Sequence, residues 1–299
     1  MQVAEQEFDH LGLLNPAQRL AAEYGEQHEE GGFSAGPLLV IAGAGTGKTM
    51  TLAHRVAHLI IEGISPERIL LLTFTRRAAQ EMTRRVENIV QASVRQSSGR
   101  PLSPSPSPSP SGGLPWSGTF HSIANRLLRR FAHNLGLDPG FSVLDRGDAA
   151  DMMDVVRHEQ KLTKTARRFP KKDTCLAIYS RCVNTQKPLV EVIDQSYPWC
   201  GDWTDELTKL FRHYTLRKQQ SQSLDYDDLL LYWSHLVAEP EFACEIGSWF
   251  DHVLVDEYQD TNLVQAQVLN ALKPDGHGVT VVGDDAQSIY SFRAAEVEN

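Results

Sequence analysis

Five consecutive apolar residues, Leu38–Ala42 (LLVIA), run directly into the segment AGAGTGKT at 42–49, and a mixed helical pattern follows from Thr49 to Ile61. A short all-apolar run ahead of a Gly-rich turn reads as a buried strand, and the pattern after the turn reads as a helix. The same rhythm recurs along the chain. RILLLT at 68–73 and the helix-spaced residues 76–91 form a second pair, and HVLV at 252–255 and VTVV at 279–282 are two further strands, separated by the helix-like stretch 261–272. Strands that are continuously apolar, joined by helices, predict an α/β fold with a parallel sheet covered on both faces.

The stretch between these two α/β blocks differs in character. Residues 93–117 include SPSPSPSPSGG, whose alternating prolines deny both helix and sheet pairing and predict an exposed, mobile, polyproline-like linker. Residues 121–240 then read as mostly helical: 121–135 stopped by Gly136, 147–162 after a turn, and 226–238 opened by Asp225 as N-cap. The expected organisation is an α/β domain in two parts, 1–92 and 225–299, with a Ser/Pro-rich linker at 93–117 and a helical insertion at 118–224.

Composition narrows the classes further. The longest apolar runs fall far short of the roughly 20 residues needed to span a bilayer. The acidic start MQVAEQEFDH resembles neither a secretory signal nor a transit peptide, so the expected compartment is the cytoplasm. Cys175, Cys182, Cys200 and Cys244 lie far apart without a CxxC pair, which predicts reduced thiols rather than a zinc site. The net charge of −9 hides a segregation. From 239 to the end, twelve Asp/Glu face only Lys273 and Arg293, whereas 126–172 carries eleven Lys/Arg against six Asp/Glu. A basic stretch of that kind either tracks a polyanion or is a solvated helix face.

The chemistry concentrates at two strand ends. In the loop Ala42, Gly43, Ala44, Gly45, Thr46, Gly47, Lys48, Thr49, glycines let backbone N–H groups approach phosphate oxygens. Lys48 supplies charge for the β and γ phosphates, and the Thr49 hydroxyl suits Mg²⁺. The pattern usually opens with Gly, and here that position is Ala42. At 252–257, HVLVDE ends a strand with two carboxylates. Ligands of open parallel sheets sit at the carboxyl ends of strands, which brings Asp256 to the phosphate loop as a Mg²⁺ ligand and Glu257 as the group that positions and deprotonates the attacking water.

Six segments together resemble one family, the UvrD/Rep-type DNA helicases of superfamily 1. LNPAQ at 14–18 is similar to its adenine-reading Q motif, TFTRRAAQEM at 73–82 to motif Ia and GTFHS at 118–122 to motif Ib. LDYDDL at 224–229 fits a segment before motif II, VDEYQD at 255–260 is similar to motif II, and VGDDAQSIY at 282–290 to motif III. The resemblance implies a RecA-like domain with an inserted helical subdomain, and ATP-driven 3′→5′ movement on single-stranded DNA with strand separation at DNA junctions, in repair or replication. It also implies that Gln18 reads adenine, that Gln287 senses the γ phosphate and that Arg293 contributes to nucleotide binding. Phe74, Arg76, His121, Tyr290 and Phe292 are implied to contact DNA. Local readings stand beside these roles. Asn15 to Gln18 is also a helix capping box, Phe74 could be a core aromatic, and His121 could be an ordinary helix-start residue. Ser291-Phe292 replaces the Gly-Trp of many relatives, and Arg76-Arg77 the more usual Asn-Lys.

The chain stops at Asn299, shortly after the motif III-like segment, so the second RecA-like domain with motifs IV to VI is expected to be missing from it. The leading expectation is the ATP-binding half of a DNA helicase, weak or inactive by itself. Two alternatives remain: an ATP-responsive single-strand DNA-binding fragment without useful turnover, and the motor half of a helicase–nuclease.

Overall fold

The computed structural model of the chain describes residues 9–28, 32–97, 113–162 and 168–284. The first elements are α1 (Pro16–Glu23), a short hairpin of β1 (Glu26–Gln27) and β2 (Phe33–Ser34), β3 (Leu38–Ile41) and α2 (Lys48–Ile61). They are followed by β4 (Ile69–Thr73), α3 (Arg76–Ser97), β5 (Ser117–Thr119) and α4 (Phe120–Arg130). A mainly helical stretch comes next: β6 (Ser142–Val143), α5 (Arg146–Glu159), α6 (Lys172–Thr185), α7 (Leu189–Ser196), α8 (Thr204–Gln220), β7 (Ser223–Leu224) and α9 (Tyr226–Ala238). The chain returns through α10 (Pro240–Ser248), β8 (His252–Val255), α11 (Leu263–Leu272) and β9 (Val279–Gly283). Among the described residues, no helix is long and apolar enough to cross a membrane.

Two compact units emerge. The first takes the chain up to Ile123, Glu241–Gln259 and the segment from Leu269; the second takes Ala124–Pro240 and Asp260–Val268. These boundaries differ from those expected at 118 and 225, because α9 belongs with the helical unit. The linker expected over 93–117 is shorter at both ends: α3 continues to Ser97, and β5 begins at Ser117. Residues 98–112 of the Ser/Pro run lie outside the described residues.

The first unit is an α/β domain of the RecA-like class. Its sheet is five-stranded, in the order β3-β9-β8-β4-β5, and every pairing is parallel. The register aligns the carboxyl ends: Ile41 pairs with Gly283, Val255 with Val281, Leu72 with Val255, and Thr73 with Thr119. Leu52, Val56 and Leu59 of α2 and Met82 and Val86 of α3 bury against Ile69, Leu71, Leu254 and Val282 of the sheet. The placement of α1 rests on Arg55, which is only 1% exposed. Its guanidinium donates to the carbonyls of Ala21 (3.1 Å) and Tyr24 (2.8 Å) at the end of α1 and to Thr280 Oγ1 (2.8 Å) on β9. A cation at a helix C-terminus satisfies carbonyls the helix cannot and complements its dipole. Burial still lowers the Arg55 pKa to about 10.

Histidines line the side of α2 facing the N-terminal segment and the β1–β2 hairpin. The rings of His10 and His58 stack at 5.5 Å between centroids, Phe33 meets His58 edge-on at 5.5 Å, and His252 lies beside Phe33. Burial lowers the pKa of His10, His54, His58 and His252 alike. The native chain therefore resists protons that the unfolded chain accepts below about pH 6.5. Stability is full above that value and falls as the pH drops from there towards the lower folded-state pKa values. The melting temperature is expected to decline between pH 7.5 and 6, and to decline less in His58→Leu; a flat profile for the wild type over that interval would contradict this.

The second unit has its own core, centred on Met153, Val156, Cys175, Ile178, Leu207, Leu210 and Tyr214. Below it lies a buried ionic knot. Lys218, 2% exposed, pairs with Asp225 at 2.7 Å and Asp228 at 2.6 Å, and the Tyr214 hydroxyl donates to Asp225 at 2.9 Å. Asp225 and Asp228 also form the capping box that starts α9. This accounts locally for much of the LDYDDL segment. The four cysteines are free thiols, and burial pushes Cys175 up to about 12.

Candidate nucleotide site

The phosphate-loop residues take the place the sequence assigns them, between the end of β3 and the start of α2. Gly45 (φ 74°) and Gly47 (φ 88°) adopt left-handed backbone, which glycine enters without steric cost. Nothing lies within 4 Å of where a Cβ on Gly43 or Gly45 would stand, so the loop presents open backbone. Gly47 is the N-cap of α2 and has no side chain to cap it. The first N–H groups of the helix are thus left for an anion.

Lys48 is the first residue of α2 and is buried. Its Nζ donates to the Ala42 carbonyl at 2.8 Å and pairs with Asp284 at 3.2 Å. Ala42, where a glycine is usual, thereby serves through its backbone oxygen. Asp256 continues from β8, with its backbone N–H bonded to the Leu72 carbonyl at 2.9 Å. Burial, reinforced by the neighbouring Glu257 carboxylate, raises the Asp256 pKa to about 6, and the Lys48 charge opposes the rise. Glu257 is held at φ 53°, a left-handed conformation uncommon for a residue with a side chain and found preferentially at functional sites.

Gln18 does more than cap a helix. Its Oε1 accepts from Asn15 N at 2.9 Å and its backbone N–H donates to Asn15 Oδ1 in return, completing the capping box. Its Nε2 also donates to the Thr46 carbonyl at 2.7 Å. The Q-motif glutamine and the phosphate loop are in direct contact.

The other half of the sheet edge carries different residues. Thr73 and Thr119 are paired at the carboxyl ends of β4 and β5, so Phe74 and His121 follow two adjacent strand ends. Both are half-buried, and Arg76, the first residue of α3, is exposed. Gln287, Tyr290, Phe292 and Arg293 lie outside the described residues.

A divalent metal fits what is present. Among the described residues, no group of three or more His, Cys, Asp or Glu is arranged to hold a metal by itself. Mg²⁺, however, binds through one or two protein oxygens plus substrate phosphates and water. Thr49 beside the open loop and the Asp256 carboxylate, whose raised pKa a cation would bring down, are the residues suited to hold it.

Two residues without a role in the sequence reading complete the site. Asp284 is the counter-ion of Lys48, and Gln259 bonds to both Glu257 and Asp284. Both sit inside the stretches 255–260 and 282–290 that carry the resemblance. The residue types alone do not show which of Asp284 and Asp285 faces the lysine.

Comparison with known proteins agrees with this geometry. The profile of the UvrD/REP helicase N-terminal domain matches residues 24–299. The ATP-dependent DNA helicase PcrA of Bacillus subtilis (strain 168) is 33% identical over 291 residues, covering 97% of this chain and 35% of the relative. PcrA of Leuconostoc citreum is 32% identical over 266 residues, 88% of this chain and 32% of the relative. PcrA of Staphylococcus aureus (strain COL) is 33% identical over 279 residues, 92% of this chain and 34% of the relative. The chain spans about a third of the length of these relatives. With a parallel RecA-like sheet, a phosphate loop and an Asp-Glu strand end in register, this chain belongs to the UvrD/REP helicase family, within that family's N-terminal domain.

Proposed function

We propose that the chain is the ATP-binding half of a motor that moves 3′→5′ along single-stranded DNA and separates strands at junctions, in DNA repair or replication in the cytoplasm. The observation that carries the reading is the division of one sheet edge. Lys48, Asp256, Glu257 and Asp284 cluster beyond β3, β8 and β9, while Phe74 and His121 follow β4 and β5 on the same edge. ATP is the substrate; Thr49 and Asp256 would hold Mg²⁺, which would supply Lewis-acid neutralisation of charge on the phosphates. Lys48 then exchanges Asp284 for phosphate oxygens, Gln18 orients the base, and Glu257 takes a proton from the attacking water. Gln287 and Arg293 are assigned to the γ phosphate and to nucleotide binding, and Tyr290 and Phe292 to DNA, by the family resemblance.

On the DNA side, Phe74 provides a ring on which a base stacks, and Arg76 and His121 contact phosphate. Fluorescence anisotropy with labelled oligo-dT tests this. Affinity is expected to fall as salt rises, through counterion release. Stacking contributes about 1–3 kcal/mol per base, so Phe74→Ala weakens binding several-fold at fixed salt. An unchanged affinity would assign Phe74 to packing. DNA binding that responds to ATP without any turnover would favour the regulatory-fragment alternative.

A further inference from the structure

Gln259 lies in the single turn Tyr258–Asp260 that follows the two strand-end carboxylates, and it is 8% exposed. Its side chain points back into the site. Nε2 donates to Glu257 Oε2 at 2.7 Å, and Oε1 accepts the backbone N–H of Asp284 at 2.9 Å. The orientation of the amide follows from its neighbours: turned over, it would set an oxygen against a carboxylate and an NH₂ against an N–H. A carboxylate requires a donor and a backbone N–H requires an acceptor, and an amide supplies both from one plane. Gly283 accommodates the arrangement. A Cβ there would stand 2.8 Å from Gln259 Oε1 and 3.4 Å from Gln259 N, so a side chain at 283 would displace the glutamine.

The bonds form a continuous line. Asp256 Oδ1 accepts the Glu257 N–H at 3.1 Å, Glu257 accepts from Gln259, Gln259 accepts from Asp284, and the Asp284 carboxylate holds Lys48. Glu257 occupies left-handed backbone, a conformation that persists only where the surroundings over-determine it. Its carboxylate is tied to the end of β9 through one intermediary side chain.

We propose that Gln259 is the positioning residue for the general base. Its amide pins Oε2 of Glu257, leaves Oε1 of Glu257 as the acceptor for the attacking water, and ties the base to the strand end that carries the counter-ion of the phosphate-loop lysine. This rests on the assignment of Glu257 as the base in the preceding section. Gln259 acts through Glu257 and has no bond-making part of its own.

The test is single-turnover hydrolysis of γ-labelled ATP by excess full chain with Mg²⁺ and oligo-dT, with nucleotide affinity and melting temperature measured in parallel. Gln259→Met removes donor and acceptor at similar volume, while Gln259→Glu keeps the acceptor for Asp284 N and replaces the donor to Glu257 with a second carboxylate. Both variants are expected to lose about 10- to 100-fold in the maximal rate, as misplacement of a reacting group does, with nucleotide affinity within about threefold of wild type. A purely structural tether to Asp284 would spare Gln259→Glu. Either variant keeping the wild-type rate overturns the proposal, as does a loss confined to nucleotide affinity. Glu257→Gln in the same assay separates the two levels. If it is slow and the Gln259 variants are not, only this inference fails; if it hydrolyses ATP like the wild type, the reading of the site fails and this inference with it.

Discussion

Glu257→Gln is expected to lower ATP hydrolysis by about 10²–10⁴-fold, the usual contribution of a positioned general base, while nucleotide binding stays near wild type. The substitution preserves size and the oxygen that accepts from Gln259 Nε2, so the local hydrogen bonding survives. What disappears is the capacity to take a proton from water. The assay is phosphate release under saturating Mg²⁺·ATP and single-stranded DNA, with a fluorescent ATP analogue titrated in parallel. Equal turnover by the two proteins would remove Glu257 from the base role and leave Asp256 as the candidate.

Lys48→Ala is expected to weaken Mg²⁺·ATP binding by about 10- to 100-fold, since hydrogen bonds to a charged group contribute about 1.5–3 kcal/mol. The structure adds a second consequence. Lys48 is the counter-ion of Asp284, and the two side chains are 8% and 4% exposed. Removing one partner of a buried pair leaves a charge uncompensated, at a cost of a few kcal/mol. Lys48→Ala should therefore melt at a lower temperature than the wild type. Adding Asp284→Asn removes the stranded charge, so the double variant should recover stability but not nucleotide binding. Recovery of both would show that Asp284, rather than Lys48, governs the loop.

Much of this arrangement was legible in the residues. Four of the five strands in the sheet are runs of four or five mostly apolar residues, a pattern that parallel sheets demand. The fifth, Ser117–Thr119, is three small residues without an apolar one, and it joins the sheet only by pairing with β4. Gly118 fits there because a Cβ would stand 2.4 Å from Ser122 Oγ. The helix expected over 121–135 breaks at Phe131: α4 ends at Arg130, a 3₁₀ turn follows, and Gly136 closes it in left-handed backbone. Gly136 thus signals the end of the helical stretch without showing the break before it.

The site divides in the same way. The phosphate loop, Asp256 and Glu257 follow from residue type and spacing, because their chemistry depends on local sequence. The roles of Asp284 and Gln259 depend on strand order instead: β9 lies between β3 and β8, which sets Asp284 against Lys48 and within reach of Gln259. Gln18 belongs to both cases. Its capping role is written in Asn15 to Gln18, whereas its bond to Thr46 joins residues 28 positions apart and follows from the docking of α1, whose end Arg55 also holds.

The central claim is that one loop and two adjoining strand ends form a single Mg²⁺-nucleotide site. A crystal structure of the chain with Mg²⁺ and a non-hydrolysable ATP analogue tests it most directly. The account predicts β and γ phosphates on the N–H groups of residues 43–49, Lys48 Nζ moved from Asp284 to phosphate oxygens, and the metal between Thr49 and Asp256. A nucleotide bound away from this loop, or Lys48 still paired with Asp284 beside bound nucleotide, would contradict it.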